Sequence, residues 1–169
     1  MGDEGSAFDI GRRAVAAVAR MRDTASPVSL LAEKIVMAFE LTDWDVLITK
    51  IAEKPDDVFP RVFPLVVEAA EGGDNTAREI LYASAAALAN IASTVIRRLG
   101  LQEIEFILSK TGGVFGQSRL LEAMLDSVLL STAPRAKIAL LKVSPAVGAA
   151  RLAQRLAESR GSGGHGTQG

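Results

Sequence analysis

Three short segments carry residue types and spacings that could do chemistry. The first, Gly2-Asp3-Glu4-Gly5-Ser6, sets two adjacent carboxylates in a turn between glycines, just before a helical stretch. Carboxylates held at a turn accept hydrogen bonds from ligand hydroxyls, which polyol or sugar binding requires. The same residues also read as a capped helix start with acids near its positive end. The second, Leu108-Ser109-Lys110-Thr111-Gly112-Gly113-Val114-Phe115, places a glycine pair after a strand and before a helix. Glycines there let backbone approach a ligand closely, and the following helix N-terminus favours anions. Open α/β sheets bind ligands at the carboxyl ends of strands, where this loop falls. It is not a P-loop, because Lys110 precedes the glycines. An ordinary strand–helix turn has the same composition. The third, Ser144-Pro145-Ala146-Val147-Gly148-Ala149-Ala150, allows a helix to start hard against a neighbour, through helix packing or a second backbone approach to a ligand.

Other polar groups have simpler readings. Glu68, Glu71 and Asp74 suit a solvated helix end and a cap, and Arg97-Arg98 suit a helix C-terminus. Trp44 and the phenylalanines suit a core.

The elements that position these segments are mostly helices. Ser6 caps a first helix running to Met21, with Asp9 three residues on and Ile10, Ala14, Ala17, Val18 and Met21 at helical spacing. Ser26-Pro27 predicts the start of a second helix carrying Leu30, Leu31, Ile35, Val36 and Phe39. A third starts near Thr42, with Trp44, Leu47, Ile48 and Ile51 on one side, and ends at Pro55-Asp56-Asp57. Pro60 and Pro64 disturb any helix over Val58–Glu71, so Pro60 is expected near a helix start. Gly72-Gly73 stops that element and Asp74 caps the longest helix, about Thr76–Leu99. Its apolar face runs from Ile80 and Leu81 to Ile91, Val95 and Ile96.

The period then changes. Glu103–Leu108 alternates as a strand, Ser118–Leu130 is helical, and Lys137–Val143 is a nearly continuous apolar run of the kind buried parallel strands show. Strand, helix and strand predict a parallel βαβ unit. A final helix covers Pro145–Glu158, and a flexible Gly-rich tail follows, giving a folded unit over 1–158 and a tail over 159–169. The fold class is therefore α/β and helix-dominated, with about seven helices. Two short strands make a poor independent sheet, which points to part of a larger α/β protein.

Composition narrows the function. Of 169 residues, 49% are hydrophobic and 23% charged, a globular balance. Nineteen Lys and Arg against twenty Asp and Glu leave a net charge of −1. That is no footprint for nucleic acid and no pull toward anionic lipid. Zero cysteines exclude disulfides and Cys-ligated zinc or iron–sulfur clusters within the chain, and the single histidine, His165, lies in the tail. The N-terminus lacks a basic n-region and an apolar h-region. Ile80–Ile96 is uncharged but holds Ser84, Asn90, Ser93 and Thr94, so a buried helix is expected rather than a membrane span. A cytoplasmic protein is compatible with all of this.

Taken in order, the segments resemble one family. GDEGSAFDIGRRAV resembles the GDEGS-aromatic-x-IG helix start of N-acetylglucosamine-kinase-like proteins in the BadF/BadG/BcrA/BcrD ATPase family. FPLVVEAAEGGDNTAREIL resembles its P-x-V-x-x-A-x-x-GD-x-x-A-x-x-I segment, GGVF its adenosine-motif turn, and PAVGAARLA its closing helix. The resemblance covers about Gly2–Leu156. It implies an actin-like, ribonuclease-H-like ATPase lobe and a protein whose two lobes close over ATP and Mg²⁺. Asp3, with Glu4 beside it, would contact sugar hydroxyls. Gly112, Gly113 and Val114 would lie against adenosine, and Gly148 would sit in the closing helix near the nucleotide.

The family's first-lobe Asp-Gly-Gly and GTGS phosphate loops do not occur, and Met1 falls where the family has an internal residue. Lys110-Thr111 read as two extra residues before the glycines. The expectation is thus the C-terminal lobe of an ATP-dependent kinase for N-acetylglucosamine or a related amino sugar. Alone it would be inactive, because alignment of γ-phosphate, Mg²⁺ and acceptor hydroxyl is nearly all of phosphoryl-transfer catalysis. Its partners would be amino sugar and ATP, with neither nucleic acid nor membrane, and a homodimer is allowed. Activators of dehydratases in the same family hold an iron–sulfur cluster, which zero cysteines disfavour. From a different class, a non-catalytic helical interaction domain fits the same sequence. A chain lacking a lobe should expose apolar surface and self-associate or be marginally stable.

Overall fold

The computed structural model describes residues 2–24, 27–141, 143 and 145–161. Ser26, Ser144 and the tail containing His165, on which parts of the sequence reading fall, lie outside the described residues. Seven helices and two strands follow in the order α1 (Ala7–Asp23), α2 (Leu30–Ala38), α3 (Trp44–Glu53), α4 (Pro55–Glu71), α5 (Asn75–Arg98), β1 (Phe106–Lys110), α6 (Arg119–Thr132), β2 (Ala136–Leu140) and α7 (Pro145–Gly161).

Most of the core lies where α1 crosses α4 and both meet α5. α1 turns Ile10, Gly11, Ala14, Val15 and Val18 inward. The approach to α4 is so close that a Cβ at Gly11 would lie 1.9 Å from the Phe59 backbone oxygen. α4 is one continuous helix, contrary to the expectation of a break. Pro55 opens it rather than closing α3, and Pro60 and Pro64 lie inside it. Each interior proline forgoes a backbone hydrogen bond, but Val62, Phe63 and Val66, all at 1% exposure or less, hold the helix by packing.

α2 begins at Leu30, not Pro27, and its cap is Ser29, whose side chain accepts from the Ala32 N–H at 3.2 Å. Asp74 caps α5 as expected and also reaches α2. Its Oδ1 accepts from the Ala77 N–H at 2.9 Å, and its Oδ2 from the Leu31 N–H at 2.9 Å. One buried carboxylate thus satisfies orphan donors of two helix starts. Trp44 is core, as are Phe39, Phe59 and Phe63, whereas Ile48 faces solvent.

α5 is long and apolar enough to cross a membrane by length and composition alone. Here Leu81, Ala85 and Ala89 are fully buried within the protein, while Ile91, Val95 and Leu99 stay exposed, so the expected wide apolar face is only partly covered.

β1 and β2 are parallel, with Phe106 opposite Ala136 and Lys110 opposite Leu140. β1 is displaced from the expected Glu103–Leu108. Ile104 closes a turn onto the Leu101 carbonyl, and the strand runs on through Ser109 and Lys110. The continuous apolar run of β2 is not doubly buried. Phe106, Leu108, Lys110, Ala136 and Ile138 face inward, while Ile107, 72% exposed, and Ala139 lie on an open sheet face. Two strands with one helix, α6, between them in sequence cover one side only.

Candidate functional site

The N-terminal turn is fixed from several directions before any ligand arrives. Gly2 and Gly5 take positive φ angles of 99° and 80°, which only glycine adopts without strain. The Ser6 N–H donates to the Asp3 carbonyl at 3.1 Å, and Ser6 Oγ accepts from the Asp9 N–H at 3.0 Å. Asp9 answers across the cap, its Oδ2 accepting from the Gly5 N–H at 3.2 Å. Gly5 itself presses on α5, where a Cβ would lie 2.5 Å from Leu88 Cγ.

Asp9 is buried and held by two cations, Arg12 at 2.8 Å on Oδ1 and Arg13 at 2.8 Å on Oδ2. Burial opposes its ionisation, but the Arg12 hydrogen bond, the Gly5 amide and the Arg13 charge outweigh that and hold its pKa below the ordinary carboxylate value. Its charge is therefore spent within the fold. Asp3 and Glu4 are the opposite: both are exposed, and no side chain among the described residues pairs with either carboxylate. They line an open cleft of about 380 Å³ with Phe8, Arg12 and Arg13.

The glycine loop follows β1 at its carboxyl end. Gly112 has φ 121°, and at neither Gly112 nor Gly113 does any heavy atom lie within 4 Å of a would-be Cβ. Both are exposed, so the backbone there is bare. Val114 differs, because its side chain is 6% exposed and belongs to the core. What Val114 can present is backbone. The Phe115 N–H donates to the Gly112 carbonyl at 3.3 Å, and Gln117 Nε2 donates to the Gly113 carbonyl.

Lys110 belongs to the strand rather than to this loop. It is the last residue of β1, buried, and its Nζ donates to Glu122 Oε2 at 2.7 Å and to Asp126 Oδ2 at 3.0 Å. Burial lowers the pKa of a lysine, but hydrogen bonds to Glu122 and Asp126 and their charges raise this one above its ordinary value. Burial likewise works against Glu122, whose pKa is nonetheless held down by Lys110 and by the Gly116 amide. The sequence reading missed this cluster. Its only local signal was the i,i+4 spacing of Glu122 and Asp126 on one face of α6.

Gly148 sits in α7 with nothing within 4 Å of a would-be Cβ, and described side chains of that helix from 146 to 158 are exposed. Among the described residues, no close approach of a neighbour to Gly148 is made. Nor do Asp3 and Glu4 share a cleft with the glycine loop. The two are linked through α5, which carries Leu88 under Gly5 and pairs Ser93 with Thr132 at the end of α6. No group of three or more Asp, Glu or His suited to a metal ion occurs among the described residues.

Comparison with known proteins matches this arrangement to a family. Residues 1–153 match the BadF/BadG/BcrA/BcrD ATPase family. An N-acetyl-D-glucosamine kinase of Dictyostelium discoideum is 31% identical over 157 residues, a stretch covering 90% of this chain and 49% of that protein. The chain thus spans about half the length of this curated relative. It belongs to the BadF/BadG/BcrA/BcrD ATPase family, and its helix-dominated architecture with a short parallel sheet is consistent with part of one ATPase lobe of that family.

Proposed function

We propose that this chain is the C-terminal lobe of an ATP-dependent kinase for N-acetylglucosamine or a related amino sugar. One observation carries the reading. In the GDEGS turn, among the described residues, Ser6, Asp9 and the backbone make the structural hydrogen bonds, and Asp3 and Glu4 remain as exposed acceptors on that frame. Carboxylates preorganised in this way accept hydroxyl hydrogens of a sugar without first breaking an internal ion pair.

The bare backbone at Gly112 and Gly113 fits an adenine face, since no side chain or other heavy atom fills the space a Cβ would take. Gly148, on exposed α7, is the third proposed nucleotide contact. ATP would supply the transferable phosphoryl group. The described carboxylates form no metal cluster, so Mg²⁺ belongs with the nucleotide phosphates and with groups of the other lobe. This chain's residues bind and orient. The glycine loop seats the nucleotide, and Asp3, with Glu4, fixes the sugar so that one hydroxyl points to the phosphate. Alone, the chain is expected to show no turnover in a sugar-phosphorylation assay, and its place is the cytoplasm.

The test is calorimetric titration of the chain with N-acetylglucosamine and with ATP·Mg²⁺. Weak binding of the sugar, lost on Asp3→Asn, together with nucleotide binding lost on Gly113→Asp, supports the reading. Silence with both ligands from a folded sample defeats it. The open sheet face and exposed α7 favour a second reading, a non-catalytic interaction domain, which predicts that silence.

A further inference from the structure

A single carboxylate closes the glycine loop. Glu122 Oε2 accepts from Lys110 Nζ at 2.7 Å, and Glu122 Oε1 accepts from the Gly116 N–H at 2.7 Å. Lys110 ends the strand before the loop, and Gly116, at φ 85°, lies at its far side. Glu122 therefore ties together the two residues that bracket Thr111–Phe115. Lys110 cannot easily release it, because a lysine ammonium at 7% exposure needs acceptors, and α6 provides them at Glu122 and Asp126. Within the bracket only Val114 is buried, while Gly112 and Gly113 are exposed with nothing within 4 Å of a would-be Cβ among the described residues. The loop's shape thus depends on its two ends, on the Phe115-to-Gly112 hydrogen bond and on the Gln117 contact with the Gly113 carbonyl.

We infer that Glu122 is the positioning residue of the glycine loop, with Lys110 as its anchor, and that this clip sets the backbone surface offered to a nucleotide. The inference rests on the reading of that loop as an adenosine surface. Glu122 touches no ligand in this scheme. It acts through the distance it imposes between residues 110 and 116.

Three variants of the full chain test it. Glu122→Asp keeps the charge beside Lys110 but is too short to span both partners. It should fold with a transition near wild type, speed exchange of the Phe115 amide about tenfold, and raise the Kd for ATP·Mg²⁺ by about the same factor. Glu122→Gln keeps the length but offers one acceptor oxygen, so it can hold Gly116 or Lys110 and not both, and should fall between wild type and Glu122→Asp in both properties. Leu121→Ala removes a fully buried α6 side chain outside the clip, lowers the thermal transition, and should leave Phe115 exchange and nucleotide affinity near wild type once corrected for global stability. Wild-type protection of Phe115 in Glu122→Asp, or equal effects from Leu121→Ala, would overturn the inference. So would unchanged ATP affinity in a Glu122→Asp chain whose loop has opened. If the wild-type chain binds no nucleotide yet Phe115 exchange follows the clip, the adenosine reading fails and the clip stands.

Discussion

The N-terminal turn and the glycine loop use the same residue for opposite reasons. Gly5 and Gly11 are glycines because their own fold leaves no room, with Leu88 Cγ at 2.5 Å and the Phe59 oxygen at 1.9 Å from a would-be Cβ. Gly112, Gly113 and Gly148 have nothing within 4 Å. Packing demands the first pair and does not explain the second set. The φ of 121° is reason enough for glycine at Gly112, so Gly113 and Gly148, which neither a contact nor a positive φ requires, are the better pointers to something outside the chain.

The sharpest way to break that contrast is Gly11→Ala. The new methyl meets helix backbone rather than a movable side chain, so destabilisation of ~3 kcal/mol is expected in urea unfolding. Gly148→Ala, in an exposed helix with room for the methyl, should raise stability by up to about 1 kcal/mol. Equal effects at the two positions would end the distinction. Next in size is Asp74→Ala, which strips a cap from α5 and a donor's partner from α2 together, for about 2 kcal/mol. Ser29→Ala, which removes one cap only, should cost about half as much.

The pH dependence comes third. Asp9 and Glu122 have lowered pKa values in the fold, so their contributions are complete above the ordinary values of 3.8 and 4.5 and are lost as pH falls through the folded values. Lys110 is raised, so its contribution is complete below 10.5 and is lost as pH rises through the folded value. Asp9→Asn should flatten the acid limb of the stability curve and leave the alkaline limb unchanged; Lys110→Met should flatten the alkaline limb and also weaken the acid limb, because the Lys110 ammonium holds Glu122 down. The smallest stability effect belongs to Asp3→Asn, within about 0.5 kcal/mol of wild type, because the carboxylate has no partner among the described residues. A larger loss would move Asp3 from the surface class to the scaffold.

Local physics decided what could be read in advance. The Ser6 cap, the Asp74 cap and the apolar period of α1 are visible within a few residues, and all three are present. α4 was misread because proline's local penalty is outweighed by contacts with α1, α2 and α5 that the sequence does not display. Lys110 extends β1 beyond the expected strand because it pairs with Leu140, 30 residues on, and its side chain is held by carboxylates 12 and 16 residues away. The second role of Asp74 is more remote, its α2 partner lying 43 residues back. Within the candidate site, the glycines of Gly2–Ser6 and Gly112–Gly113 mark two turns that are present, with Asp3 and Glu4 exposed, whereas the clip that brackets the loop had only a faint i,i+4 trace.

Asp74 has a further consequence for how the molecule breathes. Its two oxygens each hold the first turn of a different helix, so the two starts share one side chain. Rotation of one side chain releases the Leu31 and Ala77 amides in the same event. The starts of α2 and α5 therefore form a single opening unit despite their separation in sequence, and their fluctuations should be synchronous rather than independent.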